Sequence, residues 1–195
     1  MSAILKMSQR KIHILRHSWG MYISAVATWD AIAIENIKEN EIRKYFVFPW
    51  IALCVLTVCV FDSLYAPSKG LETGFLNGII NAVSLLGGYF LSNKICFWYL
   101  GKQLKIGQSA IKSEKIVSYS FTTVFLLDVV TTVVPSLFFL YILNVYIAFM
   151  VWEGCRAVLK LNEEERGNIV LVYTIVIIFI PIFISKMLQF MLSNA

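Results

Sequence analysis

Six polar side chains stand out within the mainly apolar stretches: Asp62, Lys94, Asp128, Asn144, Glu153 and Lys186. A charge in hydrocarbon is costly enough that it marks either a partner or a function. Asp128 could hold a proton or a cation. It could also be a carboxyl that hydrogen-bonds Asn144, Thr131 or Thr132 and ties helices together. We prefer the second reading, because transport usually draws on more than one such group. At ~1.5 Å of rise per residue, Asp128 lies about 18 Å beyond Ile116, near the membrane midplane, and Asn144 about 14 Å beyond Pro135. The two can therefore meet. The same arithmetic matches Asp62 with Lys186 in the outer third and Lys94 with Glu153 near the cytoplasmic side. Such ion pairs would fix helix register more than they add stability. Lys94 could instead snorkel to the interface.

What must position these groups is a set of membrane-spanning helices. The chain is 58% hydrophobic and only 15% charged, against about 25% charged in soluble domains. The stretch from Ile116 to Cys155 has no Lys or Arg, and its only charges are Asp128 and Glu153. As one helix it would measure about 60 Å, roughly twice the hydrocarbon core. Pro135 is its only breaker, so the stretch reads as two spans joined by an almost loopless turn. The expected fold is all-α, a bundle of five transmembrane helices over about 47–66, 74–100, 116–134, 135–155 and 169–192. A cytoplasmic helical segment, 1–46, precedes the membrane domain, 47–195.

Small residues four apart, Gly74 with Gly78 and Ser84 with Gly88, would let a second helix approach the second span closely. Pro49 falls in the opening turn of the first span, where proline is tolerated, and Pro181 lies inside the fifth, where it should kink the helix. Ala66 to Gly70 reads as a turn, and Gly101–Lys115 and Arg156–Asn168 as polar links. Residues 1–19 have the spacing of a basic amphipathic helix, lying on an anionic leaflet or on the protein's own cytoplasmic face. Residues 24–45 suggest one or two polar-faced helices leading into the bilayer.

Lys and Arg number seven before the first span, four in the link after the second and three in the link after the fourth. The positive-inside rule then places the N-terminus in the cytoplasm and the C-terminus outside. A net charge of +5 set beside hydrophobic spans speaks for membrane orientation and against nucleic acid. The expected location is a bacterial inner (plasma) membrane, and the expected partners are the lipid bilayer, other proteins or a second copy.

No catalytic pattern is legible. Cys54, Cys59, Cys96 and Cys155 fall in or beside apolar stretches and form neither a disulfide framework nor a zinc pattern. His13 and His17, four apart, have no carboxylate or cysteine beside them in sequence. Glu163-Glu164-Glu165-Arg166 has the wrong spacing for an intramembrane peptidase and no histidine after it. Neither metal, cofactor nor enzymatic activity is expected. A small transporter or channel using Asp128 is the alternative to a membrane-organising or partner-binding role.

One further pattern runs through Ala27-Thr28-Trp29-Asp30-Ala31-Ile32-Ala33-Ile34-Glu35, Glu41-Ile42-Arg43-Lys44-Tyr45 and Phe48-Pro49, then Tyr141 to Trp152 and Tyr173. With the five-span layout, it resembles a short prokaryotic member of the YIP family (Ypt/Rab-interacting protein domain) over roughly residues 24–192. The resemblance implies five membrane helices, a cytoplasmic N-terminus and no catalysis. Eukaryotic members are associated with Rab-type GTPases and with membrane trafficking or shaping. Only the 1–46 segment precedes the first span here, so Rab binding is not carried over.

Overall fold

The computed structural model describes residues 17–65, 70–104 and 110–193. Every regular element among them is helical. Residues 17–23 form α1, and Ala25–Ile34 forms α2. Five long apolar helices follow: α3, Glu39–Tyr65; α4, Gly70–Leu104; α5, Ala110–Val133; α6, Pro135–Leu159; and α7, Glu163–Ser193. Each is long and apolar enough to cross a bilayer. This is the all-α membrane bundle that the hydropathy pattern implies. The amphipathic helix expected over 1–19 lies largely outside the described residues, as do most of the turn expected at Ala66–Gly70 and residues 105–109 of the first polar link.

The spans alternate in direction. One end of the bundle, here the basic end, gathers the start of α3, the end of α4, the start of α5, the end of α6 and the start of α7. The other is the turn end. There Val134 is the only residue between α5 and α6, and Pro135 opens α6. Proline suits that position because the first N–H of a helix has no partner to lose. Tyr65 at the end of α3 donates its hydroxyl to the Val133 carbonyl at 2.7 Å, satisfying one of the terminal carbonyls of α5.

α5 is the central element, and it packs against every other span. Its most apolar window is 61% buried, more than that of any other span. α4 packs on α3 on one side and α7 on the other. The small residues of α4 make these approaches. Gly74 and Gly78 face Ser63 and Cys59 of α3, and a Cβ at Gly88 would lie 2.6 Å from Pro181 Cγ of α7.

α6 changes character along its length. Its first eleven residues, Pro135–Val145, form a 3-10 helix with no buried residue, interrupted at Leu137 (φ −89°, ψ 20°). Such runs rarely exceed three or four residues, because side chains three apart eclipse and the hydrogen bonds are poorer. From Tyr146 to Gly154 α6 is α-helical and packs tightly, with Ile147, Met150, Val151, Glu153 and Gly154 buried, and Cys155–Leu159 closes it as a π-helical turn. Lys160 ends it in the left-handed conformation (φ 57°). The turn-end half of α6 is thus loosely held, whereas its basic-end half belongs to the core.

Candidate functional site

Two polar assemblies lie at opposite ends of the bundle. At the basic end, eleven consecutive residues of α5, Ser113 to Thr123, are buried. Two of them are charged. Glu114 receives Arg43 Nε at 2.5 Å and Arg43 Nη2 at 2.7 Å, and the Tyr89 hydroxyl at 2.9 Å. A two-pronged guanidinium is the natural counter-ion for a buried carboxylate, since both oxygens are satisfied in one geometry. Lys115 Nζ donates to the carbonyls of Ile32 at 2.8 Å and Glu35 at 2.6 Å, at the C-terminus of α2. A cation there meets the negative end of the helix dipole.

The same interactions fasten α1 and α2 over the bundle. Trp29 is fully buried beneath α6, edge-on to Tyr119. Arg156 bridges Glu153 of α6 (2.6 Å) and Asp30 of α2 (2.9 Å). Trp50 Nε1 donates to Ser18 at 3.1 Å, and His17 Nε2 lies 3.1 Å from Glu35 Oε1. Tyr22 stacks on Tyr146, and burial pushes its phenol up to about 12.

At the turn end a cavity of about 420 Å³ opens between α4, α5, α6 and α7. Its polar lining includes Asn81, Asp128, Tyr141, Asn144, Lys186 and Gln189. Apolar side chains, among them Leu85, Val124 and Ile178, complete the wall. Asn81 donates Nδ2 to Asp128 at 2.9 Å, and Asn77, one turn earlier on α4, donates to Asp62 at 2.8 Å. Asparagines four apart share a helix face, so one edge of α4 serves a carboxylate on each neighbouring helix.

These positions revise the sequence pairings. Asp128 does share a cavity with Asn144, but its bonded amide is Asn81. Asp128 lies five residues before the end of α5, about 7.5 Å of helix rise from the turn. Asp62 does not pair with Lys186. The first is held by Asn77, and Lys186 donates to Gln189 at 3.3 Å. Their helices lie on different sides of the bundle, with α7 packed chiefly on α4 and α6. Lys94 does not pair with Glu153 either. Lys94 sits on the exposed face of α4, and the partner of Glu153 is Arg156.

The sequence reading missed Asn77, Asn81, Arg43 and Glu114. A spacing of four between two intramembrane asparagines was the available signal for the first two. The adjoining Glu114-Lys115 reads as a solvated link because nothing local shows that both charges find partners in distant segments. Compared with known proteins, the chain matches no family model, no curated protein and no solved structure.

Proposed function

We propose that this chain is a non-enzymatic, multi-pass protein of a bacterial inner membrane, with its N-terminus in the cytoplasm, that organises the membrane or binds a protein partner. The observation that carries this reading is the sealed basic end. Eleven buried residues of α5 occupy about 16 Å of rise, and the charges among them are matched within the chain. The cavity at Asp128 therefore faces closed packing along the helix that would have to line a through-path. The residues of the YIP resemblance give further support, because they build this seal: Trp29, Ile32 and Ile42 are buried, and Arg43 grips Glu114. A protein partner or a second copy would dock from the lipid or from the α1–α2 face.

The polar cavity favours a second reading, a small transporter working through Asp128. Proteoliposomes separate the two. The non-conducting reading expects no proton or K⁺ flux above that of protein-free vesicles. A flux that scales with protein content and disappears in Asp128→Asn would replace it with transport.

Orientation has its own test. In a background lacking the four native cysteines, Lys112→Cys and Asn162→Cys, both at exposed basic-end positions, should label together from the cytoplasmic face. Labelling from opposite faces would break the topology.

A further inference from the structure

We propose that the turn-end cavity is a binding site for a zwitterion whose primary ammonium and phosphate are joined by a short linker, the chemistry of an ethanolamine phosphate head group. The inference rests on two opposite charges that line one cavity of about 420 Å³ without forming a salt bridge to each other. Among the described hydrogen bonds each has a neutral partner instead: the Asn81 amide for Asp128, and the Gln189 amide oxygen for Lys186. A carboxylate offers about four lone-pair sites, so Asp128 can accept further donors while keeping Asn81. An ammonium there would make a charge-assisted bond, roughly twice as strong as a neutral one. The phosphate would sit on Lys186, which is exposed on α7 at the edge of the cavity.

The neighbouring groups favour a primary ammonium over a quaternary one. Asn144 and Tyr141 line the cavity beside Asp128 and present oxygen acceptors, which three N–H donors can use and a trimethylammonium cannot. The position of the opening favours a lipid. The rim residues Tyr141 and Ile182 are 50% and 48% exposed on the flank of the bundle, and the adjoining 3-10 half of α6 buries none of its residues. Acyl chains attached to a head group in this cavity would leave along an apolar flank. The assignment rests on the cavity alone, and binding is measured separately from flux, so either reading can fail without the other.

Purified, delipidated protein in mild detergent would be titrated with dioleoyl phosphatidylethanolamine, phosphatidylcholine and phosphatidylglycerol, and with water-soluble phosphoethanolamine. Native mass spectrometry gives occupancy, and thermal shift gives an independent readout. We expect phosphatidylethanolamine to bind one-to-one, with a preference over phosphatidylcholine on the order of tenfold or more. Asp128→Asn keeps an acceptor for Asn81, and Lys186→Gln alters an exposed residue; each should abolish the preference. Asp62→Asn, outside the cavity, should leave it unchanged. Phosphoethanolamine binding as tightly as the lipid would uphold the chemistry and assign the site to a soluble ligand. Equal binding of the three lipids, a preference for phosphatidylglycerol, or a preference that survives Lys186→Gln would overturn the proposal.

Discussion

Glu114→Ala should be strongly destabilising, costing about 2–3 kcal/mol, the scale of lost hydrogen bonds to a charged group, because Arg43, 29% exposed, can still turn to water. Glu114 is 1% exposed. Its carboxylate takes both prongs of Arg43 and the hydroxyl of Tyr89, which also lies 2.9 Å from Ser118 Oγ. Alanine leaves a guanidinium and a phenol at the mouth of a packed core. Glu39, 3.7 Å from Arg43 and more exposed, is a weak substitute. The larger penalty belongs to the other single variant, Arg43→Met, which strands the buried Glu114 without its counter-charge. The double variant Arg43→Met with Glu114→Leu should therefore recover most of the stability, because apolar groups of similar volume need no counter-charge. Unfolding in detergent, followed by tryptophan fluorescence or heat, gives all the corners of the cycle. Additive losses would show that the two side chains act independently.

The legible part of this architecture is the part carried by local composition. Five spans follow from apolar runs of sufficient length, and the tight turn follows from Pro135 as the single breaker in forty residues. Where a span continues into polar sequence, composition misleads. α5 begins at Ala110 rather than near Ile116 because Ser113, Glu114 and Lys115 find partners in Tyr173, Arg43 and the end of α2. Those partners lie 60 or more positions away along the chain.

The charge pairings failed for a related reason. Residue counting gives a height in the bilayer but no azimuth around the bundle. Asp62 and Lys186 match in height but lie on helices that face different neighbours, and the partner of Asp62 is the uncharged Asn77 on the adjoining helix. Nothing local marks Pro135–Val145 as a 3-10 helix, because the sequence there is as apolar as any α-helical span. The cavity at Asp128 is lined by residues of four different helices, Tyr141 and Asn144 of this half of α6 among them, and so it could not be read from any one stretch of the sequence.

Trp29→Ala should release the α1–α2 layer while leaving the membrane bundle folded. Trp29 is fully buried, edge-on to Tyr119 at 6.1 Å. Its ring lies so close to Gly154 that a Cβ there would come within 3.1 Å of Cζ2 and Cη2. Removing a packed indole costs about 3–5 kcal/mol, and here the loss falls on one short helix. α2 has ten residues, too few to hold its shape without tertiary packing. Once α2 loosens, Lys115 loses the Ile32 and Glu35 carbonyls that receive its ammonium, so detachment removes a second anchor. Hydrogen exchange should report this directly. Amides of Ala25–Ile34 should exchange at least about 100-fold faster, the equivalent of about 3 kcal/mol of lost protection, while amides of α4 and α7 keep theirs. Trp29→Phe should lose much less, because the indole N–H finds no acceptor among the described residues and phenylalanine removes an unsatisfied donor along with part of the ring. If the α2 amides stay protected in Trp29→Ala, the layer is held by its polar contacts and Trp29 only fills space. If α4 and α7 lose protection as well, the layer and the bundle unfold as one unit, and the seal at the basic end is part of the fold's global stability.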